Sequence, residues 1–122
     1  MTTIPKKTLL LVDNDEDWLA LLTRLLASEG YRVLTANTCA AAIRLADRER
    51  PHIVVVDLNL DCESGMTLCC HVKASPTLKS VPVVILSGMD PVPQDRGCAW
   101  DAFVCKADGT ARLLLVVKKL LA

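Results

Sequence analysis

Residues 53–57 read Ile-Val-Val-Val-Asp, and this stretch decides the reading of the whole chain. Four β-branched apolar residues without polar alternation are the pattern of a strand covered on both faces, as in the middle of a parallel sheet. The run ends on a carboxylate, Asp57, where such a strand must emerge from the core. Four other short apolar runs share its character: Leu9–Val12 and Val33–Ala36 before it, Val83–Leu86 and Ala102–Cys105 after it. Between the runs the spacing turns helical. Trp18, Leu22 and Leu25 with Leu19 and Leu26 form one stripe, and Ala42, Ile43 and Ala46 a second. Met66, Cys69 and Val72 mark a third, and Leu113, Leu114, Val117, Leu120 and Leu121 the last. Gly30, Pro51 and Ser75-Pro76 close the first three helices, and Asn14 or Asp15, Thr38, Ser64 and Asp108 are the N-cap candidates. Strands alternating with helices predict an α/β fold, a parallel sheet of about five strands with helices on both faces.

One unit breaks the rhythm. Residues 88–102 read GMDPVPQDRGCAWDA where a fourth helix is due, and Pro91, Pro93 and Gly97 leave room for only a shortened or irregular one.

A chain of 122 residues suits a single domain, taken here as 1–122 with its core over about 7–121. Apolar residues make up 52% but aromatic ones only 3%, so the core rests on Leu, Val, Ile and Ala. Lys and Arg balance Asp and Glu at 14 each, and no basic stripe is present, which argues against direct nucleic-acid binding. No apolar run is long enough to span a bilayer and Met1–Lys7 has no signal-peptide core, so no membrane association and a cytoplasmic location are expected. In that compartment the cysteines at 39, 62, 69, 70, 98 and 105 are expected to be reduced. They lack C-x-x-C spacing, and with only His52 and His71 as imidazoles they read as apolar filler rather than a zinc site.

Functional residues of an open parallel sheet collect at the carboxyl ends of its strands. There the chain places Asp13-Asn14-Asp15-Glu16-Asp17 after the first strand, Asp57 and then Asn59 and Asp61 after the third, Ser87-Gly88 after the fourth and Lys106 after the fifth. Oxygen ligands suit Mg2+, and an ammonium beside the metal suits an anionic oxygen. A carboxylate can attack a phosphoryl group whose charge is spread over a divalent cation and a lysine. Asp57, central and at the end of the most apolar strand, is the natural nucleophile. Asp13 and Asn14 would hold the cation with Asp57, and the Asn59 backbone carbonyl would add a ligand. Lys106 would pair with Asp57 before reaction and with a phosphoryl oxygen after it. Ser87 would donate to another such oxygen, with Gly88 keeping the approach open.

The segments LLLVDNDED, IVVVDLNLDCESG, VPVVILSG and AFVCK, in this order and spacing, resemble the signature segments of response-regulator receiver domains, over roughly residues 7–121. The resemblance implies a flavodoxin-like three-layer sandwich with five strands in the order 2-1-3-4-5. It implies phosphotransfer from a histidine kinase or a phosphotransfer protein, Mg2+ dependence and slow self-dephosphorylation, in a signalling domain rather than an enzyme. Asp57 matches the phosphoacceptor, Ser87 the switch hydroxyl, Lys106 the site lysine and Phe103 the switch aromatic. The output would pass to a downstream effector protein or an attached output domain, and a homodimer through the last strand and helix is compatible with it. Because the sequence ends with its last helix, no output domain is expected within it, which leaves both a free-standing and an excised receiver open.

Three departures stand out. Asn14 takes the place of the second acid, which lowers the expected metal affinity. Asp61 and Ala107 stand where prolines are common, and segment 88–99 is short. Together they keep an alternative in view, a pseudo-receiver that binds partners with weak or no phosphorylation. An aspartyl-phosphate hydrolase is disfavoured, because Asn59 cannot protonate a leaving group from the position two residues after the nucleophile. Plainer readings stand beside each residue. The acids at 13–17 could serve the helix dipole, Asp57 a turn, Lys106 solvation, and Phe103, Trp18 and Trp100 packing.

Overall fold

A computed structural model of the chain describes residues 6–60, 63–88 and 100–122. The elements run β1 (Thr8–Val12), α1 (Glu16–Ser28), β2 (Arg32–Ala36), α2 (Cys39–Glu49) and β3 (Ile53–Asp57). A two-residue hairpin follows, β4 (Asn59–Leu60) and β5 (Glu63–Ser64), then α3 (Gly65–Ala74), β6 (Val83–Ser87), β7 (Ala102–Cys105) and α4 (Thr110–Leu121). The large sheet is parallel throughout, in the order β2-β1-β3-β6-β7. With the small hairpin set aside, this is the expected 2-1-3-4-5 arrangement.

Alternation along the strands sorts the side chains into two cores. Leu10, Val12, Val54, Val56, Val83 and Ile85 face Ala42 and Ala46 of α2 and Leu68, Cys69 and Val72 of α3. Leu9, Leu11, Ile53, Val55, Val84 and Leu86 face Leu22 and Leu26 of α1 and Leu113 and Val117 of α4. Helices therefore cover both faces, and β1, β3 and β6 are buried along their whole length. The edge strands β2 and β7 are partly exposed, unlike the fully covered central ones.

The helix boundaries follow local chemistry. Asp15 caps α1 by accepting from the backbone N–H groups of Asp17 and Trp18, while Thr38 and Ser64 cap α2 and α3. Gly30 follows α1 at φ 96°, a left-handed conformation that suits glycine. Asp108 is not the cap of α4 as expected. It belongs to a 3-10 turn over Lys106–Asp108, and Gly109 at φ 86° precedes the helix instead. Cys70 departs from the reduced-filler reading because it is disulfide-bonded. Cys39, Cys69 and Cys105 keep the thiol form. The shortened fourth helix expected over 88–99 falls on residues 89–99, outside the described residues, as does Asp61.

An ion pair ties the strand that ends in Ser87 to the strand that leads into Lys106. Asp101 Oδ2 accepts from the Val83 backbone N–H at 2.7 Å and from Lys73 Nζ at 2.7 Å, and Lys73 also donates to the Val81 carbonyl at 2.9 Å. The start of β6, the start of β7 and the end of α3 are thereby tied together. Asp101→Ala strands the Val83 donor and frees Lys73. A loss of about 1–2 kcal/mol is expected, as for a charge-assisted bond at a partly exposed site. Urea unfolding measures it, and an unchanged midpoint would show the tie to be dispensable.

Candidate functional site

Because all five strands of the large sheet are parallel, their carboxyl ends share one rim. Asp13 is fully buried there. Its backbone N–H extends the β1–β2 ladder to the Ala36 carbonyl at 3.1 Å, and its Oδ1 accepts from the Asp15 N–H at 2.9 Å. Asn14 follows half-buried.

Asp57 ends β3 opposite Leu86 and is 6% exposed. Its Oδ1 accepts from the Asn59 N–H at 3.1 Å. Behind it, the Gly65 N–H donates to the Leu58 carbonyl at 2.8 Å, and the Leu58 N–H to the Leu86 carbonyl at 2.8 Å. The chain passes so close that a Cβ on Gly65 would fall on the Asp57 carbonyl oxygen and crowd the Val56 side chain. Glycine is needed there for approach rather than for an unusual backbone angle.

Lys106, the first residue after β7, closes the cluster. Its Nζ donates to Asp13 Oδ2 at 2.7 Å and to Asp57 Oδ2 at 3.0 Å, joining residues 93 and 49 positions away. Each carboxylate thus gives one oxygen to the same ammonium and the other to a backbone N–H. Burial pushes the Asp57 carboxyl above its ordinary value, helped by the Asp13 charge, while the Lys106 and Asn59 hydrogen bonds oppose the rise. For Lys106, burial acts to lower the ammonium's pKa. Hydrogen bonds to Asp13 and Asp57 and their charges together outweigh it, so the pKa is raised.

Ser87, buried at the end of β6, pairs with Cys105, the neighbour of Lys106, and so stands on the same rim. Beside it, the place a Cβ would take on Gly88 is open among the described residues. Phe103 lies elsewhere. It is half-buried against the α2–α3 core and its ring sits 6.0 Å from that of Trp100.

Two carboxylates and an ammonium meet on this rim, and Asn14 and Ser87 stand on it just after β1 and at the end of β6, a set that can bind a hard cation and an incoming anion together. Three residues of the environment escaped the sequence reading. Gly65 gives no signal beyond following the Ser64 cap, and Asp101 reads as a loop acid. Trp18, in the first turn of α1, places its ring 5.2 Å from Lys106 Nζ, although its spacing marks it only as a packing residue. Its position five residues after Asp13 was the available clue.

The sequence profile of the family described as the response regulator receiver domain matches residues 9–109. The chain belongs to the response-regulator receiver domains. The receiver is 41% identical over 86 residues to the transcriptional regulatory protein GlrR of Escherichia coli K12, covering 70% of this chain and 19% of GlrR. It is 34% identical over 124 residues to the transcriptional regulatory protein PrrA of Mycobacterium tuberculosis, covering 98% of this chain and 52% of PrrA. The chain therefore spans about half or less of the length of these relatives. Among solved structures, the receiver domain of the Pseudomonas aeruginosa sensor histidine kinase PA1611 superposes with a TM-score of 0.85 at 21% identity. That match covers 96% of this chain and 98% of the other, whose active-site cleft coordinates a magnesium ion. The fold is the flavodoxin-like one, shared with chemotaxis-type receivers such as CheY4 of Vibrio cholerae. Among the described residues no helix is long and apolar enough to cross a membrane.

Proposed function

We propose that this receiver accepts a phosphoryl group on Asp57, with Mg2+ bound beside it, from a histidine kinase or phosphotransfer protein. The observation that carries the reading is the Lys106 ammonium held between two buried carboxylates from different strands, Asp13 and Asp57. An Asp57 oxygen attacks phosphorus, the bond from phosphorus to the donor's leaving group breaks, and an acyl phosphate forms on the side chain. Lys106 exchanges its hydrogen bond to Asp57 for one to a phosphoryl oxygen, and the Ser87 hydroxyl donates to another. Phe103 is proposed as the aromatic that responds to this rearrangement. The receiver would act through protein contacts, on a separate effector or an attached output domain, within a single domain over about 7–121.

The residues present fit Mg2+, which commonly takes one or two carboxylates and completes its shell with water and phosphate oxygens. Asp13 and Asp57 would supply the charge, and Asn14 and the Asn59 carbonyl neutral oxygens. Bound there, the ion would neutralise charge developing on the phosphoryl oxygens. Lys106 already occupies one oxygen of each carboxylate, and Asn14 adds no charge against it, so weak binding is expected. Asn14→Asp is expected to tighten Mg2+ about tenfold, the scale of one added nearby charge under strong solvent screening. A fluorescence titration reads this, and equal or weaker affinity would remove Asn14 from the metal site.

The direct test is incubation with acetyl phosphate and Mg2+, followed by intact-mass measurement. Gain of one phosphoryl group, mapped to Asp57, is the expected result. No adduct would favour the pseudo-receiver.

A further inference from the structure

Two features of the Trp18 side chain are not explained by packing alone. The Asp15 cap accepts its backbone N–H at 3.2 Å, which fixes the residue in the first turn of α1, above the rim. Its ring then lies 5.2 Å from the Lys106 ammonium. Its indole Nε1, meanwhile, is buried with no hydrogen-bond partner among the described residues. A phenylalanine or leucine would cover this edge of the α1–α4 core without burying an unmet donor. The indole offers, in exchange, the most strongly attracting aromatic face for a cation.

We propose that Trp18 is a positioning residue for Lys106. The lysine has a long flexible stem and must place one charge where two carboxylates and an arriving phosphoryl oxygen meet. Asp13 and Asp57 fix the ammonium through their oxygens, and the indole face provides a third attachment that carries no charge. That third hold persists when Lys106 leaves Asp57 for a phosphoryl oxygen, because the ring takes no part in the transfer. The contact itself is a property of the resting site. Its consequence for transfer rests on the phosphoacceptor reading given above.

The experiment has two arms, so that the two ideas fail separately. In protein without phosphodonor, the side-chain methylene protons of Lys106 next to the ammonium are followed by NMR. An upfield ring-current shift is expected in the wild type, retained in part in Trp18→Phe and lost in Trp18→Leu. In the second arm, acetyl-phosphate labelling is timed at saturating Mg2+. Trp18→Leu is expected to slow it about 3- to 10-fold, the range a cation–π contact supports, with Trp18→Phe in between. Absence of the shift in the wild type overturns the proposal, as does labelling of Trp18→Leu at the wild-type rate. Should Trp18→Leu fail to fold, the wild-type spectrum and the Trp18→Phe rate decide in its place. A wild type that shows the shift but takes up no phosphoryl group refutes the phosphoacceptor reading and leaves the contact standing.

Discussion

Replacing Asp57 with alanine is expected to abolish labelling by acetyl phosphate while leaving the protein folded and no less stable. The first half follows from the chemistry: the attacking oxygen is gone, and Asp13, fully buried with both oxygens engaged, is not placed to replace it. The second half is less intuitive, since the substitution also removes a hydrogen bond to Lys106. The direction of the Asp57 pKa argues for it. Burial raises it above the ordinary value of 3.8, so the folded state binds this proton more tightly than the unfolded chain. Its contribution to stability therefore falls as pH rises from that ordinary value through the raised one, and at neutral pH the ionised group burdens the fold. Lys106 keeps its shorter bond, 2.7 Å to Asp13. Urea unfolding should show the alanine variant equal or more stable at pH 7, with the difference shrinking in acid. A clearly less stable variant would show that the Lys106 bridge outweighs desolvation. Persistent labelling would place the acceptor elsewhere.

Gly65→Ala is expected to be the most damaging single-methyl change among the described glycines, lowering stability by about 2–4 kcal/mol. Helix propensity predicts the opposite sign, since alanine is favoured over glycine inside a helix by roughly 1 kcal/mol. Position reverses that preference. The added methyl would meet the Asp57 carbonyl, a backbone atom fixed in the central strand, and not the movable end of a side chain. Relief requires the start of α3 to back away, which stretches the Gly65–Leu58 hydrogen bond and shifts β4, which carries Asn59. Labelling at Asp57 should slow in the same variant. A protein as stable as the wild type would mean that this junction yields easily and that Gly65 does not brace the acceptor.

The strands were legible because their residues are locally consistent: five apolar runs became the five strands of the large sheet. Asp13, Asp57 and Lys106 were legible because a parallel sheet turns strand order into proximity, and the distances from Lys106 to both carboxylates bear that out. What escaped depends on contacts through space. Nothing in the alphabet around position 65 states how near β3 will pass, and Trp18 fits a helical stripe whether or not a lysine lies over it. The β4–β5 hairpin is too short, at two residues a strand, for any periodicity to register. Asp108 had the chemistry of a cap but was taken up by a 3-10 turn, because Gly109 could adopt the conformation needed to start α4.

Lys106 directly follows a strand with a neighbour on one flank only. β7 is laddered to β6 alone and lies at the margin of the sheet, and the residue that follows it grips two carboxylates of the interior. Were the proposed phosphoryl transfer to redistribute that grip, the margin carrying β7 and leading into α4 is where movement would be expected first.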